Sequence, residues 1–184
     1  MAETMARLHP LAAVKTVADP HLLAQGPMGR FSLRLAANAA PAPLGALGLS
    51  LPLAPCRAAQ SETAAALWLG PGEWLLLTAP ERASAVEAAL RAELAGQAFS
   101  LVEISHRQTG LSLSGPRAAQ RLNAGCPLDL DLASFPVGMC TRTVFAKAEI
   151  VLWRTGVEAF HIEVWRSFVP YLWELLVIVG AEAS

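Results

Sequence analysis

Charge is scarce in this chain of 184 residues: Asp, Glu, Lys and Arg make up 16% of it, where about 25% is usual for a soluble domain. The formal net charge is −1, which gives no electrostatic case for binding nucleic acid or an anionic membrane. Cysteine is scarce too. Cys56, Cys126 and Cys140 are odd in number and form no CxxC, so a disulfide framework is not expected and reduced thiols in a cytoplasmic protein are. There is no GxGxxG, no Walker A and no GxSxG motif, so neither a nucleotide-phosphate loop nor a nucleophile elbow is indicated. His9, His21, His106 and His161 are scattered, without HxxxH or HExxH spacing for a metal. The N-terminal MAETMARLHP lacks the apolar stretch of a signal peptide. The longest apolar run, Tyr171 to Val179, is broken by Glu174 and is about half the roughly 20 residues a membrane span needs.

Apolar residues are abundant instead, at 54%. Much of the excess is alanine, a good helix former; the remainder suggests apolar surface that a partner covers. The length fits one domain with an N-terminal extension, divided here as residues 1–60 and 61–184. The extension is broken by Pro10, Pro20 and Pro27, carries one short alternating strand at 31–35, and then becomes Pro-rich. Beyond it, 65–69 and 74–77 flank the turn-forming Gly70-Pro71-Gly72-Glu73, a hairpin signature. Thr78 and Glu81 have capping-box spacing before a helix over 80–95, which stops at Gly96. Strands are expected at 99–104 and 109–113, a helix after Gly115-Pro116, strands at 141–146, 149–154 and 160–165, and a final helix from about Ser167. This order predicts an α+β fold, with helices packed on antiparallel sheet.

The stretch 99–173 holds the densest of these signals. Its most polar junction is Ser105-His106-Arg107-Gln108, between two apolar strands. Read as chemistry, His106 is an acid or base and Arg107 an anion clamp; read as structure, the junction is a hairpin connection that bonds local backbone. Cys126 follows a helix C-terminus, where the dipole disfavours a thiolate, so its pairing with His106 is not favoured. Asp129 and Asp131 alternate on one short segment and read as a solvated loop. Arg107, Arg117, Arg121, Arg142 and Arg154 form either a polyanion site or scattered ion pairs. Trp68, Trp74, Trp153, Trp165 and Trp173 read as core or interface anchors.

Four segments carry a wider resemblance: LGPGEWLLL (69–77), ISHRQTGLSLSGPRAAQRLNAGCPLDLD (104–131), FPVGMCTRTVFAKAEIVLWRT (135–155) and FHIEVWRSFVPYLWELL (160–176). Together they resemble the gamma subunits of heterotetrameric sarcosine oxidases, over about two thirds of the chain. The pattern around Gly115 is shared more widely, with the folate-binding aminomethyltransferases. The resemblance implies part of an aminomethyltransferase-like fold, and a subunit without catalytic groups of its own. It further implies partners, the alpha, beta and delta subunits, that convert sarcosine to glycine, release hydrogen peroxide and pass on a one-carbon unit. FAD, FMN, NAD and tetrahydrofolate are expected on those other subunits. Ser105, His106, Arg107, Gln108, Arg142 and Trp165 are the candidate partner-facing residues. The alternative is a folate-binding aminomethyltransferase acting alone, for which Glu103 is the nearest candidate carboxylate. A cysteine hydrolase built on Cys126 is a weaker third reading.

Overall fold

A computed structural model describes residues 10–11, 19–36 and 44–182. Among these residues, ten strands form two five-stranded antiparallel sheets. The first sheet has the order β1 (Leu22–Ala24), β7 (Gln108–Ser114), β10 (Ala159–Trp165), β9 (Ala148–Gly156), β8 (Cys140–Phe145). The second has the order β3 (Ala58–Gln60), β4 (Ala64–Gly70), β5 (Glu73–Thr78), β2 (Gly29–Leu35), β6 (Phe99–Glu103). Helix α1 (Ala83–Glu93) covers the second sheet, while α2 (Ala118–Asn123) and α3 (Val169–Glu182) cover the first.

Strand alternation produces this layering. On β9, Ile150 and Leu152 face the helices with Phe160, Ile162 and Val164 of β10, because successive side chains point to opposite faces. Val151 and Trp153 turn the other way, onto Leu67, Leu75 and Leu77 of β4 and β5. The two sheets therefore pack on each other, and several strands are buried on both faces. Each fully buried Leu or Phe adds about 1.5–3 kcal/mol of transfer free energy. One-sided burial would leave much of that unused.

The α+β expectation holds, with two sheets. The hairpin at 70–73 is present as the β4–β5 turn. Its Gly72 adopts φ 71°, and a Cβ there would lie 2.5 Å from the Leu35 carbonyl oxygen; only glycine fits both conditions. Within residues 1–60 the strand at 31–35 is part of β2, which pairs with β5 and β6 inside the second sheet. β1 and β3 were not legible. Leu44, Leu47 and Leu51 wrap onto the α1 side of that sheet.

Two local readings are corrected. Thr78 does not cap the helix: its hydroxyl is buried and donates to the Thr63 carbonyl at 3.3 Å. A 3-10 turn, Pro80–Arg82, precedes α1 without a side-chain cap. And 105–108 is not a hairpin connection. β6 and β7 belong to different sheets, so the junction carries the chain from one to the other.

Candidate functional site

The face of β10 that looks toward the second sheet is polar. Glu163 is 0% exposed there. Arg30, on β2 and 2% exposed, crosses the gap and grips it in a fork: Nε donates to Oε2 at 2.7 Å and Nη2 to Oε1 at 3.0 Å. His161 meets Oε1 through Nε2 at 2.8 Å. Its ring stands edge-on to Trp153, with centroids 6.0 Å apart. Gly110 makes room for this cluster, since a Cβ there would meet His161 Cε1 at 3.0 Å and Arg30 Nη2 at 3.2 Å. Burial alone would raise the Glu163 pKa. The hydrogen bonds and charges of His161 and Arg30 outweigh it and hold the carboxyl below its ordinary value. The cluster thus joins the two sheets by a buried, bidentate ion pair.

The crossover from β6 to β7 lies beside it. Ser105 Oγ accepts from the backbone N–H of Arg30 at 3.0 Å, and Ile104 N–H donates to the Arg30 carbonyl at 2.8 Å. Ser105 therefore bonds a distant strand rather than its own turn. Two cavities of about 300 Å³ open at this junction. Arg30, Ser105, His106 and Thr109 line one; Arg107, Arg142, Trp165 and Trp74 line the other; Gln108 lines both. The six candidate partner-facing residues are thereby brought to one end of the inter-sheet gap. Gln108 is 7% exposed, and its Oε1 is buried without a protein partner. Arg107 stacks on the Trp165 ring at 5.2 Å. Arg142 pairs with Glu73, which also meets Arg34.

The remaining polar candidates are dispersed. Arg121 is buried against Asp19 and the Leu176 carbonyl. Arg154 is a structural clamp: its guanidinium donates to the carbonyls of Leu130, Phe135, Gly156 and Val157 and lies over Phe160. Arg117 is exposed. The five arginines therefore do not form one polyanion site. Cys126 sits in the core between the first sheet and its helices, 3.7 Å from Thr143 Oγ1, while His106 is exposed at the crossover; the two do not make a pair. Asp129 accepts from Ser134 Oγ and the Asp131 N–H, and Asp131 from the Ala133 N–H, as in a solvated turn. Among the described residues, no three His, Cys, Asp or Glu side chains gather as a metal site, and no helix is long and apolar enough to cross a membrane.

Comparison with known proteins decides the family. The family model for "Sarcosine oxidase, gamma subunit family" matches residues 35–182. The chain belongs to the sarcosine oxidase gamma subunit family. A curated relative, sarcosine oxidase subunit gamma from Arthrobacter sp., is 37% identical over 118 residues, covering 64% of this chain. The match spans 57% of that relative's length. Among solved structures, the heterotetrameric sarcosine oxidase from Corynebacterium sp. U-96, in complex with pyrrole 2-carboxylate, contains a chain with TM-score 0.80 and 28% identity. That match covers 96% of this chain and 95% of the other. The glycine cleavage system aminomethyltransferase T from Bartonella henselae matches at TM-score 0.61 and 16% identity, over 85% of this chain and 45% of that one. It shows a shared fold, the aminomethyltransferase-like architecture anticipated from the sequence.

The buried Arg30–Glu163–His161 cluster escaped sequence reasoning. Its signal was the strand FHIEVW (160–165), in which His161 and Glu163 alternate with apolar residues and share one face. An opposing arginine inside another strand, Phe31's neighbour Arg30, was the one hint that the face is covered.

Proposed function

We propose that this chain is the gamma subunit of a heterotetrameric sarcosine oxidase in the cytoplasm. It is a non-catalytic member that packs on the large, folate-binding alpha subunit, in a complex completed by beta and delta subunits. The complex demethylates sarcosine oxidatively to glycine, yields hydrogen peroxide, and hands on a folate-bound or free one-carbon unit. FAD, FMN, NAD and tetrahydrofolate are held by the other subunits. The observation that carries this reading is the match along nearly the whole of both chains to a chain of a heterotetrameric assembly.

The chemistry of the chain supports a scaffolding role. Among the described residues the one fully buried carboxylate is Glu163, and both of its oxygens are already engaged, by Arg30 and His161. Glu103, the candidate for a folate-binding enzyme acting alone, is exposed at the rim of a cavity rather than at its floor, where a general base gains little from its surroundings. Half-exposed Trp165 and the surrounding junction offer the aromatic and arginine side chains that anchor interfaces. The candidate partner face is therefore Ser105 to Gln108 with Arg142 and Trp165. Co-expression with alpha, beta and delta subunits tests the reading. Stoichiometric co-purification of the chain with a flavin-containing complex supports it, and exclusion from a complex that assembles and turns over without it refutes it.

A further inference from the structure

Two thiols meet where the two sheets touch edge to edge. Cys56 lies just before β3 and Cys140 opens β8, the outermost described strands of the second and first sheets. Arg57 and Met139 form an antiparallel bridge between these edges. The Ala58 N–H donates to the Gly138 carbonyl at 2.8 Å, and the Cys140 N–H to the Cys56 carbonyl at 2.9 Å. This register sets the two cysteines opposite each other. Residues paired in this way stand about 5.5 Å apart at Cα, within the span that a disulfide bridges. Both are free thiols, and they differ in access: Cys56 is half-buried and Cys140 is buried. The Cys140 Sγ–H donates to the Trp68 carbonyl at 3.6 Å. Burial pushes the Cys140 thiol up to about 12, and the charge of an ionised Cys56 adds to that push. Cys56 also holds a left-handed φ of 57°, an uncommon conformation for a residue other than glycine. Backbone of this kind clusters at switch positions.

We propose that Cys56 and Cys140 are a peroxide-sensitive thiol pair, which hydrogen peroxide converts to a reversible disulfide stapling the edges of the two sheets. Hydrogen peroxide is also a product of the proposed sarcosine oxidase complex. Only this source of the oxidant rests on the reading of the chain as a subunit of that complex. The Cys56 thiolate attacks one peroxide oxygen, the O–O bond breaks, and hydroxide leaves, so that Cys56 becomes a sulfenic acid. Cys140 then loses its proton, and its sulfur attacks the Cys56 sulfur. The S–O bond breaks, and the departing hydroxide takes up that proton as water. Two thiols and one hydrogen peroxide thus become one disulfide and two waters. No solute has to reach Cys140, because its reaction partner is the residue opposite. Exchange with a small thiol reverses the bond.

The test treats the full chain, folded and without other subunits, with hydrogen peroxide. Remaining thiols are then blocked with N-ethylmaleimide and the chain is digested without reduction. Mass spectrometry should find the Cys56 and Cys140 peptides joined, and dithiothreitol should separate them. The oxidised chain should unfold at a urea midpoint about 1–2 M above that of the same chain after dithiothreitol, because the bond closes a long loop. In Cys140→Ala the second step is removed, so Cys56 should persist as a sulfenic acid that dimedone traps, where the parent traps little. In the assembled complex, turnover of sarcosine should give the same joined peptide, and catalase should suppress it. Joining by added peroxide upholds the pair even where the chain proves not to belong to such a complex. Joining by added peroxide but not during turnover overturns the complex as the source of the oxidant. No joined peptide in the folded chain, with dimedone trapping Cys56 as fully in the parent as in Cys140→Ala, overturns the pair itself. Joining that occurs only in urea overturns it too, because the folded register would then play no part.

Discussion

Removing Glu163 should destabilise this protein more than its polar character suggests. Glu163→Gln keeps the shape of the side chain but leaves the Arg30 guanidinium in a site 2% exposed, without a countercharge. Breaking a buried ion pair from one side costs about 3–5 kcal/mol, a large share of the roughly 5–15 kcal/mol that hold a domain folded. With a urea slope of about 2 kcal/mol/M, the unfolding midpoint should fall by about 1.5–2.5 M. Arg30→Met alone should cost a similar amount, because it strands the carboxylate. The double variant Arg30→Met, Glu163→Leu should be more stable than either single one, since an apolar pair removes both desolvation costs. The acid limb carries a second signature. The folded-state pKa of Glu163 is depressed below 4.5, so its contribution is fully present above that value and is lost as pH falls through the folded pKa. Glu163→Gln should therefore lose less stability than the parent between about pH 6 and about pH 3. Some acid slope should remain. At Asp19 burial is outweighed by the Arg121 hydrogen bond and charge, and Glu73 is held down chiefly by the Arg142 hydrogen bond. Single variants within 1 kcal/mol of the parent, with purely additive effects and an unchanged acid limb, would refute the reasoning.

Other predictions follow from single contacts. Gly110→Ala should cost about 1–3 kcal/mol in the same urea assay, because the new methyl crowds His161 and Arg30; Gly125→Ala should do the same through the Phe145 ring, 2.9 Å from the added Cβ. Arg154→Met should destabilise by about 2–4 kcal/mol, as four carbonyls lose a charged donor. Thiol labelling of the folded chain at about pH 8 should modify Cys56 first. Cys140 is buried and its thiol is pushed up to about 12, so it should react only on unfolding; rapid labelling of Cys140 in the native state would contradict that placement.

The parts of the fold written in local pattern were legible. The hairpin around Gly72, the three strands from Cys140 to Trp165 and the terminal helix with Pro170 in its first turn all follow from periodicity and turn chemistry. What stayed hidden depends on contacts distant in sequence. Thr78 has the spacing of a cap, yet the β4–β5 pairing places its hydroxyl on Thr63 instead. The Ser105–Gln108 junction reads as a hairpin because both flanking strands are apolar, and only the two-sheet topology makes it a crossover. Arg30 and Glu163 are separated by 133 residues and each alone resembles an exposed strand position. The six residues of the candidate partner face converge because β7 pairs with β10 in a register that sets Gln108 opposite Trp165, and no sequence spacing carries that information.

The central claim is that this chain functions as one subunit of a larger assembly. The most direct measurement is size-exclusion chromatography with mass detection on the chain co-expressed with alpha, beta and delta subunits. The account predicts one flavin-coloured species with the chain present at one copy per complex, turning sarcosine over. A chain that elutes as a free monomer beside a complete and active complex would contradict it.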